Sequence, residues 1–274
     1  MDNGLKIFKA ELPYFEKIEL IPMADTHIGD ANTDENAVIS LINYVLEQPN
    51  RYVILNGDIV NMALKNSKSD IYSSIYSIEG ELNRAVEIFK PLADAKRILA
   101  MQPGNHEDRV YKDSGLDVGA WLAERLGIAD KYTNNSFVLF IKFGRSPSWT
   151  PNKNAKNVYS VFVRHGVGGA GRKAGSKLNK VMEMAETIDC DIHIMSHVHD
   201  PILKPTIRFK CNPQNMTVSP TKVDYIVTNS FQSFGGYGQK LGFPPSTMEI
   251  SYIILNGNGP KQTILVSGIE NNKL

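Results

Sequence analysis

Ile18-Glu19-Leu20-Ile21-Pro22-Met23 is a short, mostly apolar run that breaks into Ala24-Asp25-Thr26-His27-Ile28-Gly29. Such a run, ending in polar residues and a glycine, reads as a buried strand passing into a loop. Downstream, Val38, Leu41, Ile42 and Val45 fall at helical spacing, with Thr33 as the expected N-cap and Pro49-Asn50 as the stop. Tyr52 to Leu55 is a second strand ending in Asn56-Gly57-Asp58. A second amphipathic helix runs through Ile78, Leu82, Ala85, Val86 and Phe89, and Pro91 is expected to close it. Arg97 to Met101 is a third strand, ending in Pro103-Gly104-Asn105-His106. A helix through Val118, Trp121, Leu122 and Leu126 follows, with Gly127 as its C-cap. Strands alternating with helices predict βαβ units and a mostly parallel sheet.

Beyond residue 136 the texture changes. Phe137 to Phe143 and Val158 to Val163 read as strands joined by a polar loop. A helix beginning near Ser176 leads to the strand Asp191 to Met195, and the last 75 residues are β-rich near 225–228, 250–255 and 263–266. No linker divides the chain, so residues 1–274 are expected to form a single domain. At 42% hydrophobic and 22% charged residues the chain can bury a core and is not disordered. No apolar run reaches the length of a membrane-spanning helix. Two cysteines, Cys190 and Cys211, exclude a disulfide framework and a Cys-rich zinc site. With no secretion signal in the first 15 residues, they point to a reducing cytoplasm.

Five of the six histidines fall just past strand-like runs, together with two aspartates and an asparagine. Asp25 and His27 follow the first strand, Asp58 the second, and Asn105 and His106 the third. His165 follows Val158 to Val163, and His197 and His199 follow the strand ending at Met195. The carboxyl ends of parallel strands share one edge of a sheet, so these residues are expected to converge there. Carboxylate, carboxamide and imidazole form a mixed O/N ligand set suited to Mn²⁺, Fe or Zn²⁺ rather than Ca²⁺. His193, inside its strand, reads as structural.

The ordered motifs Asp25-Thr26-His27-Ile28-Gly29, Gly57-Asp58, Gly104-Asn105-His106-Glu107, His165-Gly166 and Ser196-His197-Val198-His199 resemble those of the calcineurin-like metallophosphoesterase superfamily. The resemblance implies a four-layer α/β/β/α sandwich and two divalent ions, Mn²⁺ before Fe, Zn²⁺ or Ni²⁺. By motif, one ion takes Asp25, His27, Asp58 and His199, and the other Asp58, Asn105, His165 and His197, with Asp58 bridging. A metal-bound hydroxide then attacks phosphorus. His106 is implied as the catalytic group beside the scissile ester.

The superfamily's Ser/Thr protein phosphatases carry an aspartate where this chain has Asn61, and an arginine where it has Pro103. The reading therefore turns away from phosphoproteins. The Asp-Thr-His-Ile-Gly motif is similar to the first motif of the double-strand-break repair nucleases. Gly166 to Gly175 contains five glycines with Arg172-Lys173, a candidate anion nest and substrate contact that also resembles phage- and prophage-type members. Lys131 to Met182 carries ten Lys or Arg and no Asp or Glu, against a net −9 elsewhere. If that block faces the metals it favours DNA or RNA, with Trp149 and Tyr159 as candidate stacking residues, although ordinary packing is the preferred reading of both. The stretch Phe231 to Pro245 is a candidate loop near the site. The expectation is a phosphoesterase leaning to phosphodiester or nucleic-acid substrates, with a phosphomonoesterase and a non-catalytic scaffold as alternatives.

Overall fold

The computed structural model describes residues 5–65, 67, 71–145, 155–166, 173–235, 245 and 247–269. The alternating strands and helices fold as β2 (Lys17–Met23), α1 (Glu35–Glu47), β3 (Arg51–Asn56), α2 (Ile78–Asp94) and β4 (Ile98–Gln102). β2, β3 and β4 pair in parallel. β10 (Ile250–Asn256) and β11 (Thr263–Ile269) add antiparallel strands, giving the five-stranded order β11-β10-β2-β3-β4. The second sheet has six strands in the order β1-β5-β6-β7-β9-β8. These are β1 (Lys6–Glu11), β5 (Phe137–Phe143), β6 (Asn157–Arg164), β7 (Ile192–Met195), β8 (Ile202–Asn212) and β9 (Thr217–Val227).

Three apolar cores separate four layers, as the sequence led one to expect. Ile18, Leu20 and Ile54 of the first sheet pack against Leu139, Val161 and Ile194 of the second. Outside the first sheet, Leu41 of α1 and Phe89 of α2 meet Val53 and Leu55, joined by Leu122 of α4 (Val118–Leu126). Outside the second, Val181 and Met184 of α5 (Ala174–Thr187) cover Phe162 and Tyr225. Strands buried on both faces explain the mostly apolar run at 18–23 and the apolar run at 52–55. Among the described residues, no helix is long and apolar enough to cross a membrane.

Two helix boundaries differ from expectation. Asp34, not Thr33, caps α1, accepting the Ala37 N–H at 3.0 Å. The Thr33 hydroxyl instead bonds the His27 carbonyl at 2.9 Å and so braces the first motif. Pro91 does not close α2, which continues to Asp94. It stands exposed in the last turns, where water can satisfy the carbonyl that its missing N–H leaves free. α3 (Asn105–Ser114) and the long β8–β9 hairpin complete the description.

Candidate metal centre

β2, β3, β4, β6 and β7 all end on one edge, and β2, β3 and β7 deliver their polar residues there by sharp backbone reversals. Five of the eight non-glycine residues with positive φ among the described residues are Asp25, His27, Asp58, His197 and His199. Such conformations cost of order 1–3 kcal/mol each, and they concentrate where function requires them. The loops also approach very closely. A Cβ on Gly104 would lie 2.1 Å from Asp58 Oδ1, and one on Gly57 2.5 Å from the Gly104 nitrogen. Gly57 combines this approach with φ +82°.

Three groups of acidic and imidazole side chains have ligand atoms within 4.8 Å of one another: Asp25–His27–His199, His27–Asp58–His106 and Asp58–His165–His197. His199 Nε2 lies 3.0 Å from Asp25 Oδ1 and 3.3 Å from His27 Nε2. His165 Nε2 is 3.2 Å from Asp58 Oδ2, while His27 and His106 each bring Nε2 to 4.0 Å from the same oxygen. All the acidic and imidazole candidates converge in this way. Asn105 opens α3 beside His106 and is exposed.

These residues suit divalent cations. His165 Nδ1 donates to the Asn56 carbonyl at 2.6 Å, which orients the ring so that Nε2 faces Asp58, where a cation would displace its proton. That buried Nε2 has no hydrogen-bond partner, nor has His27 Nδ1. Two imidazole nitrogens 3.3 Å apart beside two buried carboxylates form a donor set that a shared cation satisfies. Burial opposes charge on Asp58, yet His165, His106 and His27 hold its carboxyl well below the usual range. Burial also disfavours a proton on His165, but Asp58 outweighs it and raises the pKa to about 10. Burial lowers His27 and His197, and takes His106 down to about 4, with the charge of Arg109 adding to the effect.

His106 is oriented by a backbone group. Its Nδ1 donates to the Asn61 carbonyl at 2.6 Å, so the absence of an aspartate at position 61 leaves the ring held. The Asp58 carboxylate also accepts the His106 N–H at 2.8 Å.

Several site residues carried no role in the sequence reading. Glu107 accepts N–H groups from Asp58 and Gly104 on one oxygen and from Ile59 and Val60 on the other, at 2.7–3.1 Å. Its signal was a Gly-x-x-Glu at a helix start, half of a capping box. Ser196 is another: with the Arg164 carbonyl, its hydroxyl accepts from Asn56 Nδ2, tying the two sheets beneath the site. Nothing in either local sequence marks that pair. Arg109, three residues past His106 on α3, was likewise overlooked.

Other expectations need correction. The basic block does not face the site as a unit. β5 and β6 are antiparallel, so Lys142 and Lys156 sit at the opposite end, where both pair with Glu11. Arg145 is there too, over Tyr14, and Lys131 binds the Ile98 carbonyl at the start of β4. Tyr159 is fully buried between the sheets and has no face to stack on a base. Trp149, Arg172 and residues 167–171 lie outside the described residues. Lys173 is the exposed N-cap of α5. Phe231 does begin beside the site, its N–H bonded to the Asp25 carbonyl at 3.2 Å, while 236–244 lie outside the described residues. His193 stacks on Tyr225 inside β7, with Nε2 bonded to the Ile188 carbonyl.

A cation-ready cluster on the shared edge of a two-sheet sandwich defines a metal-dependent hydrolase class. The chain belongs to the calcineurin-like phosphoesterase family, whose model matches residues 23–201, and so acts on phosphoric esters. Among solved structures it is similar to a conserved uncharacterised protein, a predicted phosphoesterase, from Streptococcus pneumoniae. That match has 13% identity and a TM-score of 0.34, covering 93% of this chain and 99% of the other. It is also similar to the calcineurin-like phosphoesterase YfkN from Bacillus subtilis, with 11% identity, a TM-score of 0.35 and coverage of 92% and 90%. A phosphatase from Mycoplasma pneumoniae gives 11% identity, a TM-score of 0.34 and coverage of 94% and 97%. No curated protein sequence matches the chain.

Proposed function

We propose that the chain, as one domain, is a two-metal phosphodiesterase acting on esters of the kind found in nucleotides and nucleic acids. The observation that carries the reading is Asp58, whose carboxylate belongs both to the group with His27 and His106 and to the group with His165 and His197. A shared carboxylate is what two mutually repelling dications need between them. Asp25, His27 and His199 would hold one ion, and Asn105, His165 and His197 the other, with Mn²⁺ the first choice. When bound, the ions supply Lewis acidity to the phosphoryl oxygens and activate water.

The protein's own part is positioning. Glu107 and the tie from Asn56 to Ser196 fix the loops that carry Asp58, His106 and His197. His106, clamped through Nδ1, presents a neutral Nε2 on the Asp58 side, where it can take a proton from the attacking water and then pass it to the departing ester oxygen. The preference for diesters draws support from the Asp25–Gly29 motif and from Asn61 and Pro103, which depart from the phosphoprotein phosphatases.

Hydrolysis of bis-p-nitrophenyl phosphate against p-nitrophenyl phosphate, with Mn²⁺ added and then chelated, tests this. Metal-dependent preference for the diester is expected. Preference for the monoester overturns the substrate assignment, and silence on both favours the scaffold alternative. Asp58→Asn should abolish turnover with loss of metal, whereas His106→Ala should keep the metal and lose rate.

A further inference from the structure

The segment Ile71-Tyr72-Ser73-Ser74-Ile75-Tyr76-Ser77-Ile78 has no charged residue, and the tripeptide Ile-Tyr-Ser occurs in it twice. Its large side chains are exposed: Tyr72 is 92% exposed and Ile75 55%, with Tyr76 and Ile78 also open. A soluble chain rarely gathers so much apolar surface without a use for it. The segment is tied directly to the catalytic edge. The Ile75 N–H donates to the carbonyl of Gly29, two residues past His27, and Ser74 bridges Asp30. Asn61 Nδ2 donates to Ser74 Oγ at 3.3 Å, and it is the Asn61 carbonyl that clamps His106. The far side of the loop from Asp30 to Thr33 meets Ser233, through its N–H to the Asn32 carbonyl. Phe234, which follows, is 56% exposed.

We propose that this tyrosine-bearing segment is a specificity subsite beside His106 that takes the planar base of a nucleoside carried by the ester. The chemistry favours that occupant. Tyrosine and serine together offer an aromatic face and hydroxyls for a base's polar edge, at low conformational cost. An uncharged rim gives no grip on additional phosphates. An exposed ring cannot enclose an alkyl chain, but it stacks on a base, an interaction strong enough to change affinity about tenfold. The inference rests on the phosphoesterase reading and adds the substrate's organic part to it.

Calorimetric titration of adenosine 5′-monophosphate and of glycerol phosphate into the metal-loaded full chain tests the subsite without turnover. The nucleotide should bind about tenfold tighter. Tyr72→Ala should bring the ratio near one and Tyr72→Phe should restore it; a side chain this exposed can be removed without unfolding the protein. A ten-nucleotide single strand of deoxyadenosine assigns the source: tighter binding than the mononucleotide points to a strand, equal binding to free nucleotides. If bis-p-nitrophenyl phosphate is turned over but the two small ligands bind equally, or the preference survives Tyr72→Ala, the subsite is refuted and the hydrolase stands. A preference without any turnover keeps the subsite and removes the hydrolase reading. If there is no preference and Tyr72→Ala abolishes self-association in sedimentation, the patch belongs to a second copy of the chain.

Discussion

Glu107→Gln isolates the joint on which the site's geometry depends. The carboxylate accepts four backbone N–H groups, two on each oxygen, from the loops after β3 and β4. Glutamine keeps one acceptor oxygen and turns an NH₂ toward the other pair, so two buried donors face a donor. A hydrogen bond to a charged acceptor contributes about 1.5–3 kcal/mol net, so losing two costs roughly 3–6 kcal/mol. That is a large share of the ~5–15 kcal/mol that holds a typical protein folded. At ~2–4 °C per kcal/mol for a chain of this size class, the midpoint should fall by about 6–24 °C. Burial and the charge of Asp58 push Glu107 up to about 7, with the N–H groups opposing them. The comparison therefore belongs at pH 8, where the wild-type carboxylate is ionised. Urea unfolding of chelated protein measures the loss, and a difference below ~1 kcal/mol would refute the clamp.

Gly104→Ala must displace Asp58, since its Cβ would sit 2.1 Å from Oδ1. We expect at least ~100-fold lower turnover together with weakened metal binding, and near-normal kinetics would show that the loops can part at little cost. Glu81, 1% exposed and accepting the Met62 N–H at 2.7 Å, is pushed by burial from 4.5 up to about 7. Between those values the folded chain keeps a proton that the unfolded chain has released, so stability falls as pH rises through that window, by up to ~3 kcal/mol from this group. Glu81→Gln removes that contribution; urea midpoints of variant and wild type at pH 5 and pH 8 should diverge accordingly, and parallel profiles contradict it. Cys190 is buried with its thiol raised by burial to about 11, whereas Cys211 is exposed. Iodoacetamide at pH 8 should label Cys211 alone in the native protein, as read by peptide mass spectrometry, and early labelling of Cys190 counts against the packing around it.

The candidate metal edge was legible because most of its candidate ligands follow strands buried on both faces, which give apolar runs ending in a polar residue. Elements with little buried surface were not. β1 buries only Phe8, and α3 buries only Glu107 and Val110, so neither carries a period. The β8–β9 hairpin is exposed over most of β8 and the first half of β9. The charge block was counted but could not be placed, because sequence proximity to His165 hides that Lys142 and Lys156 lie at the far end of antiparallel β5 and β6 while Lys177 pairs with Asp200 beside His199. Tyr159 packs, as the preferred reading of it had it, but the alternative of stacking stayed open because an aromatic on a strand faces either the core or water, and only the register decides which. The roles of Asn56, Ser196 and the Asn61 carbonyl were invisible because they depend on contacts between elements far apart in sequence.

The central claim is a pair of ions sharing Asp58. Calorimetric titration of Mn²⁺ into chelated wild-type protein, repeated on Asp58→Asn with its fold checked by circular dichroism, addresses it directly. Two ions per wild-type chain, and fewer than one on the folded variant, is the predicted result. One ion or none on the wild type, or a variant that binds as the wild type does, would contradict it.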